Sequence, residues 1–308
     1  MSDFLYKVQS RFLFHAHIRI KIPAAFDEGV FDELFAVLER VDRLYNSYRA
    51  GSFIDRINRN AGHFVEADDE TVAILKDVMS LSDCFNGAYD VTVMPLVRLW
   101  GFYRDTVERI PSPGEIRAVK SRIDYRGIDI RDNEVRIRKG QEIVTGSFIK
   151  AYAVDQLISA MKRRGVTDGM VNAGGSTIYA INPDSRLAWD VYVSDPADER
   201  RPFHIALDNR CCSTSSQAET FVAVEGRRYG HILDPRTGYP SSNRLVCVIS
   251  DNGLTGDVVS TGLFNETVDG FARSIARITE KHAVEGFLID ENGVMAMTEG
   301  FPLIRQSV

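Results

Sequence analysis

Between residues 169 and 250 strand follows strand: 169–173, 177–181, 188–194, 203–208, 220–224 and 245–250 are short β-branched or aromatic runs closed by turn residues. A doubly wound parallel sheet needs strands alternating with helices. Strands clustered this way point to an α+β fold. Helical periodicity lies outside the cluster. Phe31, Leu34, Phe35, Leu38, Val41, Leu44 and Tyr45 form one apolar stripe, and Val72, Leu75, Val78 and Met79 another over 70–83. Val154, Leu157, Ile158 and Met161 form a third over 149–164, and a last helix starts near 256.

The remaining segments read as strands and turns. Residues 12–22 alternate as one strand, with Phe12, Phe14, Ala16, Ile18, Ile20 and Ile22 on one face. His15 and His17 share the other face with Arg19 and Lys21, which reads as a solvated face, not a metal site. A Pro/Gly-marked stretch covers 110–114, and 134–138 with 142–145 reads as a hairpin. The C-terminus reads as a strand, the turn Asp290-Glu291-Asn292-Gly293, and a strand. No stretch resembles a linker, so residues 1–308 are expected to form one unit.

Composition narrows the class. The 308 residues are 44% hydrophobic and 26% charged, which excludes a disordered or fibrous chain. A net charge of −6 argues against broad nucleic-acid binding. No apolar run approaches the ~20 residues that span a bilayer. The N-terminus lacks the apolar core of a secretory leader, and Cys84, Cys211, Cys212 and Cys247 form no Cys-x-x-Cys pair. These features lead to the expectation of a cytoplasmic protein with reduced thiols and no membrane partner.

The familiar nucleotide and hydrolase signatures are missing: Gly-x-Gly-x-x-Gly, Gly-x-x-x-x-Gly-Lys-Ser/Thr, Gly-x-Ser-x-Gly and His-Glu-x-x-His. Four junctions stand out instead. Asn172-Ala173-Gly174-Gly175 is either a tight hairpin corner or a place where a ligand approaches backbone. His231-Ile232-Leu233-Asp234-Pro235-Arg236-Thr237-Gly238 packs His, Asp and Arg into one loop, a set suited to phosphates and protons. Asp257 and Thr261 are four apart on one helical face. They read either as part of an oxygen-ligand Mg²⁺ site or as a helix cap with a back-bonding hydroxyl. Lys150 opens a helix after Gly146, either as an anion site or on a solvated face.

In this order the junctions resemble the ApbE family, the FAD:protein FMN transferases. Two further segments join them: Asn46-Ser47-Tyr48 with Ser52 to Asn58, and Tyr89-Asp90-Val91-Thr92-Val93-Met94-Pro95-Leu96-Val97-Arg98-Leu99-Trp100-Gly101-Phe102. The resemblance implies a T-fold-like architecture with FAD between two lobes. It implies Mg²⁺-dependent transfer of FMN from FAD to a Ser or Thr of an acceptor flavoprotein, with AMP leaving. The alternatives are an FAD pyrophosphatase that uses water, or a non-catalytic FAD-binding protein.

Carried over by position, Asp257, Thr261 and the main-chain carbonyl of Ile149 would hold Mg²⁺. His231 would activate the acceptor hydroxyl, with Asp257 its catalytic companion at the metal. Tyr48, Lys150, Asn172, Gly174, Gly175, His231, Asp234, Pro235, Arg236 and Thr237 would line the FAD site. Positive charge for the pyrophosphate would come from Lys150, Arg236 and the metal. The chain departs from the family pattern at Ser147, Ala151, Ser176 and Ser216, and Phe14-His15-Ala16-His17 replaces an early Met-Gly-Thr.

Overall fold

A computed structural model describes residues 5–102, 109–183, 188–217 and 220–304. The chain opens with a hairpin where the alternation predicts one strand. β1 (Tyr6–Leu13) pairs with β2 (Ala16–Pro23), and the two turn residues, Phe14 and His15, have φ of 53° and 58°. Two left-handed residues are what a tight hairpin of matching twist needs. The turn also breaks the parity of the pattern. Phe12 pairs with His17 and is 62% exposed, whereas Ile18, Ile20 and Ile22 are fully buried. Periodicity is blind to a two-residue turn between two alternating runs.

The first helix, α1 (Gly29–Tyr45), buries Phe31, Leu34, Phe35, Leu38, Val41 and Tyr45, and Leu44 packs at the edge of the same core. α2 (Phe53–Arg59) is capped by Ser52, whose hydroxyl accepts the Asp55 N–H (3.1 Å). The short β3 (Val65–Glu66) leads to α3 (Asp69–Asp83), capped by Asp68. α4 (Met94–Leu99) and α5 (Pro113–Lys120) follow, the latter closed by a Ser112–Glu115 capping box.

The expected hairpin between 134–138 and 142–145 does not form. β4 (Asp129–Arg131) pairs with β5 (Glu134–Arg136) across a turn containing Asp132 at φ 47°, and β3 completes a small sheet. Residues 142–145 bond elsewhere: the Ile143 N–H donates to Asn58 Oδ1 (2.8 Å), Val144 N–H to the Val91 carbonyl, and Thr145 N–H to Ser47 Oγ (3.1 Å).

After α6 (Ile149–Arg163) comes the strand-rich region. β6 (Gly169–Ala173) and β7 (Thr177–Ile181) flank the paired glycines. β8 (Trp189–Asp195) and β9 (Asp198–Leu207) form a separate ribbon, and β10 (Cys211–Ser216) returns to the main sheet. β11 (Phe221–Val224) and β12 (Arg227–Gly230) make a second ribbon. Next come β13 (Leu245–Ser250), α7 (Gly253–Phe264), α8 (Val268–Thr279), β14 (Val284–Ile289) and β15 (Met295–Met297). The main sheet has eight antiparallel strands in the order β1-β2-β6-β7-β10-β13-β14-β15.

Two apolar layers hold this sheet. One face packs on α1, α3, α6, α7 and α8 through Ile18, Ile20, Val171, Tyr179, Val246 and Val248. The other face meets the β8–β9 ribbon through Ile178, Cys212, Cys247, Val191 and Ile205. Small residues let α6 and α7 cross closely. A Cβ at Gly253 would stand 2.8 Å from the Ala151 carbonyl oxygen, so only glycine fits there. α7 is buried almost all round, with Asp257 and Thr261 on its half-buried side. None of the described helices is long and apolar enough to cross a membrane.

Candidate active site

Asp257 lies one turn inside α7. It does not cap the helix, because Asn252 does, accepting the Thr255 N–H (2.9 Å). Its carboxylate instead meets hydroxyls from the sheet. Thr177 on β7 and Ser213 on β10 are cross-strand partners. The Thr177 hydroxyl donates to both carboxylate oxygens (3.1 and 3.2 Å), and Ser213 donates as well. Burial pushes the Asp257 carboxyl up to about 6, against the pull of the Lys150 ammonium and the two hydroxyls. Gly256 makes the approach possible, since a Cβ there would sit 2.5 Å from Ser213 Oγ. Thr261 donates its hydroxyl to the Asp257 main-chain carbonyl (2.8 Å), which sets its oxygen on the same face of the helix.

Lys150 occupies the first turn of α6 but points inward. Its Nζ donates to the Ala173 carbonyl (3.0 Å) and to Ser176 Oγ. Ser176, one of the departures from the family pattern, is therefore a neutral partner of the lysine. Gly174 and Gly175 form a hairpin corner with φ of 67° and 77°. A Cβ on Gly174 would come within 2.8 Å of Ala16 Cβ and 3.6 Å of Lys150 Nζ, so the corner needs glycine on two counts. Asn172 Oδ1 accepts the Gly175 N–H (2.8 Å) and so shapes the same corner. The Gly174 N–H donates to the His17 carbonyl (3.1 Å), which brings the β1–β2 turn against this corner.

Tyr48 is 39% exposed and stands beside the segment that leads into α6. A Cβ at Gly146 would lie 3.4 Å from its hydroxyl. Ser47 and Thr145 tie the two segments together, with the Ser47 N–H donating to Thr145 Oγ1 (3.0 Å). Next to them, Ser147 Oγ and Tyr89 Oη are 2.9 Å apart, and burial raises the Tyr89 phenol above its usual range. Ile149, the first residue of α6, is buried and donates its N–H to the Thr145 carbonyl (2.9 Å). The Ala151 departure bears on helix packing, since its buried methyl faces Gly253.

The 234–237 loop is tied together by its own charges. Asp234 is buried and accepts the Arg236 main-chain N–H (2.8 Å), while the Arg236 guanidinium forks onto Asp234 (3.0 Å) and reaches Glu266 (3.4 Å) and the Asn265 carbonyl. Arg236 thus neutralises two carboxylates at the C-terminal end of α7. Eight residues separate Asn265 from Asp257, about 12 Å of helix. The structure brings Lys150, Gly174 and Asp257 together. Pro235 and the exposed Thr237 complete this turn, and Trp100 Nε1 donates to the Gly238 carbonyl (2.8 Å).

His231 follows β12 and is half-buried. Its Nδ1 is 3.1 Å from the Thr220 carbonyl, a contact that keeps the proton on Nδ1 and makes Nε2 the basic nitrogen. Gly230, the residue before it, abuts the Gln217 side chain at the end of β10. His231 therefore sits beyond the end of the strand that carries Ser213.

Sequence reasoning missed three site residues. Ser213 could not be placed because Cys211–Ser216 is too small and polar to read as a strand. Thr177 follows the Asn172–Gly175 junction with no partner in the sequence to mark it. Asp155 lies five residues after Lys150 and is considered below.

The residues suit Mg²⁺. The residues expected to hold it offer oxygen donors: the Asp257 carboxylate, the Thr261 hydroxyl and the Ile149 carbonyl. A hard cation that also binds phosphates and water needs few protein ligands. The buried Asp257 carboxyl, raised by desolvation, is a group that a bound cation would satisfy. Among the described residues no cluster of three or more His, Cys, Asp or Glu side chains competes for a metal.

The sheet order and the α6–α7 crossing define a known structural class. The ApbE protein of Thermotoga maritima superposes with a TM-score of 0.86 at 25% identity, covering 96% of this chain and 97% of that one. Among sequence relatives, the protein named FAD:protein FMN transferase of Klebsiella pneumoniae is 26% identical over 302 residues, 95% of this chain and 92% of its own length. The protein of that name from Vibrio cholerae is 28% identical over 239 residues, 75% of this chain and 71% of its own length. The sequence profile described as the ApbE family matches residues 14–288. The chain belongs to the ApbE family.

Proposed function

We propose that this chain is an FAD:protein FMN transferase, a single catalytic unit that moves FMN from FAD to a Ser or Thr hydroxyl of an acceptor flavoprotein. The observation that carries the reading is the half-buried Asp257 carboxylate, set between two sheet hydroxyls and the Lys150 ammonium. Such a group has a use where a polyanion and a cation meet. The family relatives are named for this reaction.

In the reaction the acceptor oxygen attacks the phosphorus on the FMN side of the pyrophosphate. The P–O bond to the AMP side breaks, and AMP leaves with that electron pair. The acceptor proton passes to His231 Nε2, whose Nδ1 is held by Thr220. Lys150, Gly174 and Gly175 would hold the pyrophosphate charge, and the Tyr48 ring offers a face for stacking. Asp257, Thr261 and the Ile149 carbonyl would hold Mg²⁺, which when bound neutralises charge developing on the phosphates. A cytoplasmic site of action belongs to the same proposal, supported by four buried, unbridged thiols.

The test is co-expression with a flavoprotein bearing an acceptor Ser or Thr, followed by intact-mass measurement. An FMN-sized addition that requires FAD and Mg²⁺ is expected. Steady AMP release without acceptor, and no addition with it, would make the protein a pyrophosphatase. Bound FAD without either would make it a binding protein.

A further inference from the structure

Asp155 projects from α6 into the crossing with α7. Its two carboxylate oxygens accept the first main-chain N–H groups of α7: Oδ1 from Gly253 (2.6 Å) and Oδ2 from Leu254 (2.9 Å). Those donors have no partner within their own helix, so Asp155 satisfies from a neighbouring helix what a cap normally satisfies locally. Asn252 serves Thr255 at the same end, so three successive N–H groups at the start of α7 are bonded by side chains. The remainder of the crossing is steric, with Ala151 set against Gly253 at a distance that excludes a Cβ.

Spacing links this clamp to the candidate active site. Lys150 and Asp155 lie five residues apart on α6. Gly253 and Asp257 lie four apart on α7, hence on one face and about 6 Å apart along the axis. Both halves of the Lys150–Asp257 pair thus hang from one junction. We infer that Asp155 is a positioning residue: by bonding the start of α7 to α6 it fixes the register that holds the Asp257 carboxylate opposite Lys150 and toward the bound cation. The inference rests on the transferase reading for its catalytic consequence, but not for its structural one.

Three properties of purified full-length Asp155→Asn test it. The amide keeps one acceptor and turns an N–H donor toward the other helix N–H. Amide hydrogen exchange at 253–255 should accelerate at least tenfold while the β13 and β14 amides stay protected. Mn²⁺ affinity in the presence of FAD, read by electron paramagnetic resonance, should fall about tenfold with a changed spectrum, the size seen when support of a metal ligand is lost. In FMN transfer, kcat should drop about tenfold with the KM for FAD within twofold.

Gly253→Ala, which displaces the same crossing and leaves the carboxylate in place, should weaken Mn²⁺ in the same way and serves if Asp155→Asn does not fold. Unchanged exchange at 253–255 overturns the inference. So does accelerated exchange with wild-type Mn²⁺ affinity and spectrum, which would make Asp155 a brace only. A wild-type protein that binds Mn²⁺ but transfers no FMN defeats the proposed function and leaves the exchange and Mn²⁺ arms to decide this one. A wild-type protein that binds no Mn²⁺ at all overturns the cation half of the inference together with the metal reading of Asp257.

Discussion

Lys150 and Ser176 are joined by a hydrogen bond at the corner between β6 and β7. A neutral hydroxyl orients the ammonium without cancelling it, so its field reaches Asp257. Lys150→Gln removes that field. The Asp257 carboxyl then rises further, the pH midpoint for divalent-cation binding moves up, and FAD affinity falls about 10- to 100-fold, as expected for losing a charged hydrogen-bond donor. Ser176→Asp should shift the midpoint the same way by pairing with the lysine. Isothermal titration of FAD and Mn²⁺ across pH checks both.

The wild-type pH dependence has two opposite signs. Cation binding needs ionised Asp257, so affinity should rise about tenfold per pH unit up to about 6 and level off above it. Stability of the ion-free protein runs the other way. Asp257 is raised to about 6 and Asp155 to about 7, so the folded state holds protons that the unfolded chain has released. Stability is then fullest below about pH 4 on this account and declines as pH climbs to about 7. Urea unfolding at pH 5 and pH 8 measures the decline, and Asp257→Asn should flatten part of it. A wild-type protein that gains stability over this range contradicts both assignments.

His231→Gln separates binding from chemistry. The amide can still bond Thr220 but cannot take a proton. FMN transfer should fall by about 10² to 10⁴, the usual range for a general base, while FAD affinity stays within threefold. Stopped-flow mixing with acceptor protein reads the first and flavin fluorescence the second. Full activity in the variant removes the histidine from the mechanism.

Arg236→Ala tests whether the 234–237 loop binds ligand or holds structure. The guanidinium serves Asp234, Glu266 and the Asn265 carbonyl. Its loss leaves a buried acid poorly paired and should cost about 1–3 kcal/mol in chemical denaturation, with FAD affinity changed less than threefold. A large loss of FAD affinity with intact stability would show that Arg236 acts on FAD directly.

Much of this architecture is legible in the sequence where period and burial agree. The α1 stripe from Phe31 to Tyr45, the α6 stripe through Met161 and the apolar run 245–249 each announce one element. What escapes is what long-range pairing decides. Cys211–Ser216 becomes a central strand because β7 and β13 flank it, although its own side chains are small and polar. Glu142–Thr145 has strand-like residues, but Asn58 and Ser47 take its hydrogen bonds. At the site, Asp257, Thr261, Lys150 and the paired glycines are visible by spacing. Their partners Thr177, Ser213 and Asp155 become visible only when the sheet register and the helix crossing are known.

The burial of α7 on nearly every side gives its carboxylate an unusual thermodynamic position. A ligand gripping Asp257 grips an element that cannot loosen without opening the core, so occupancy and global folding are linked by mass action. At 100 times its dissociation constant, such a ligand would add about 2.7 kcal/mol to unfolding. A melting curve is then a direct reporter of site occupancy, for the flavin and the cation alike, without any acceptor protein in hand.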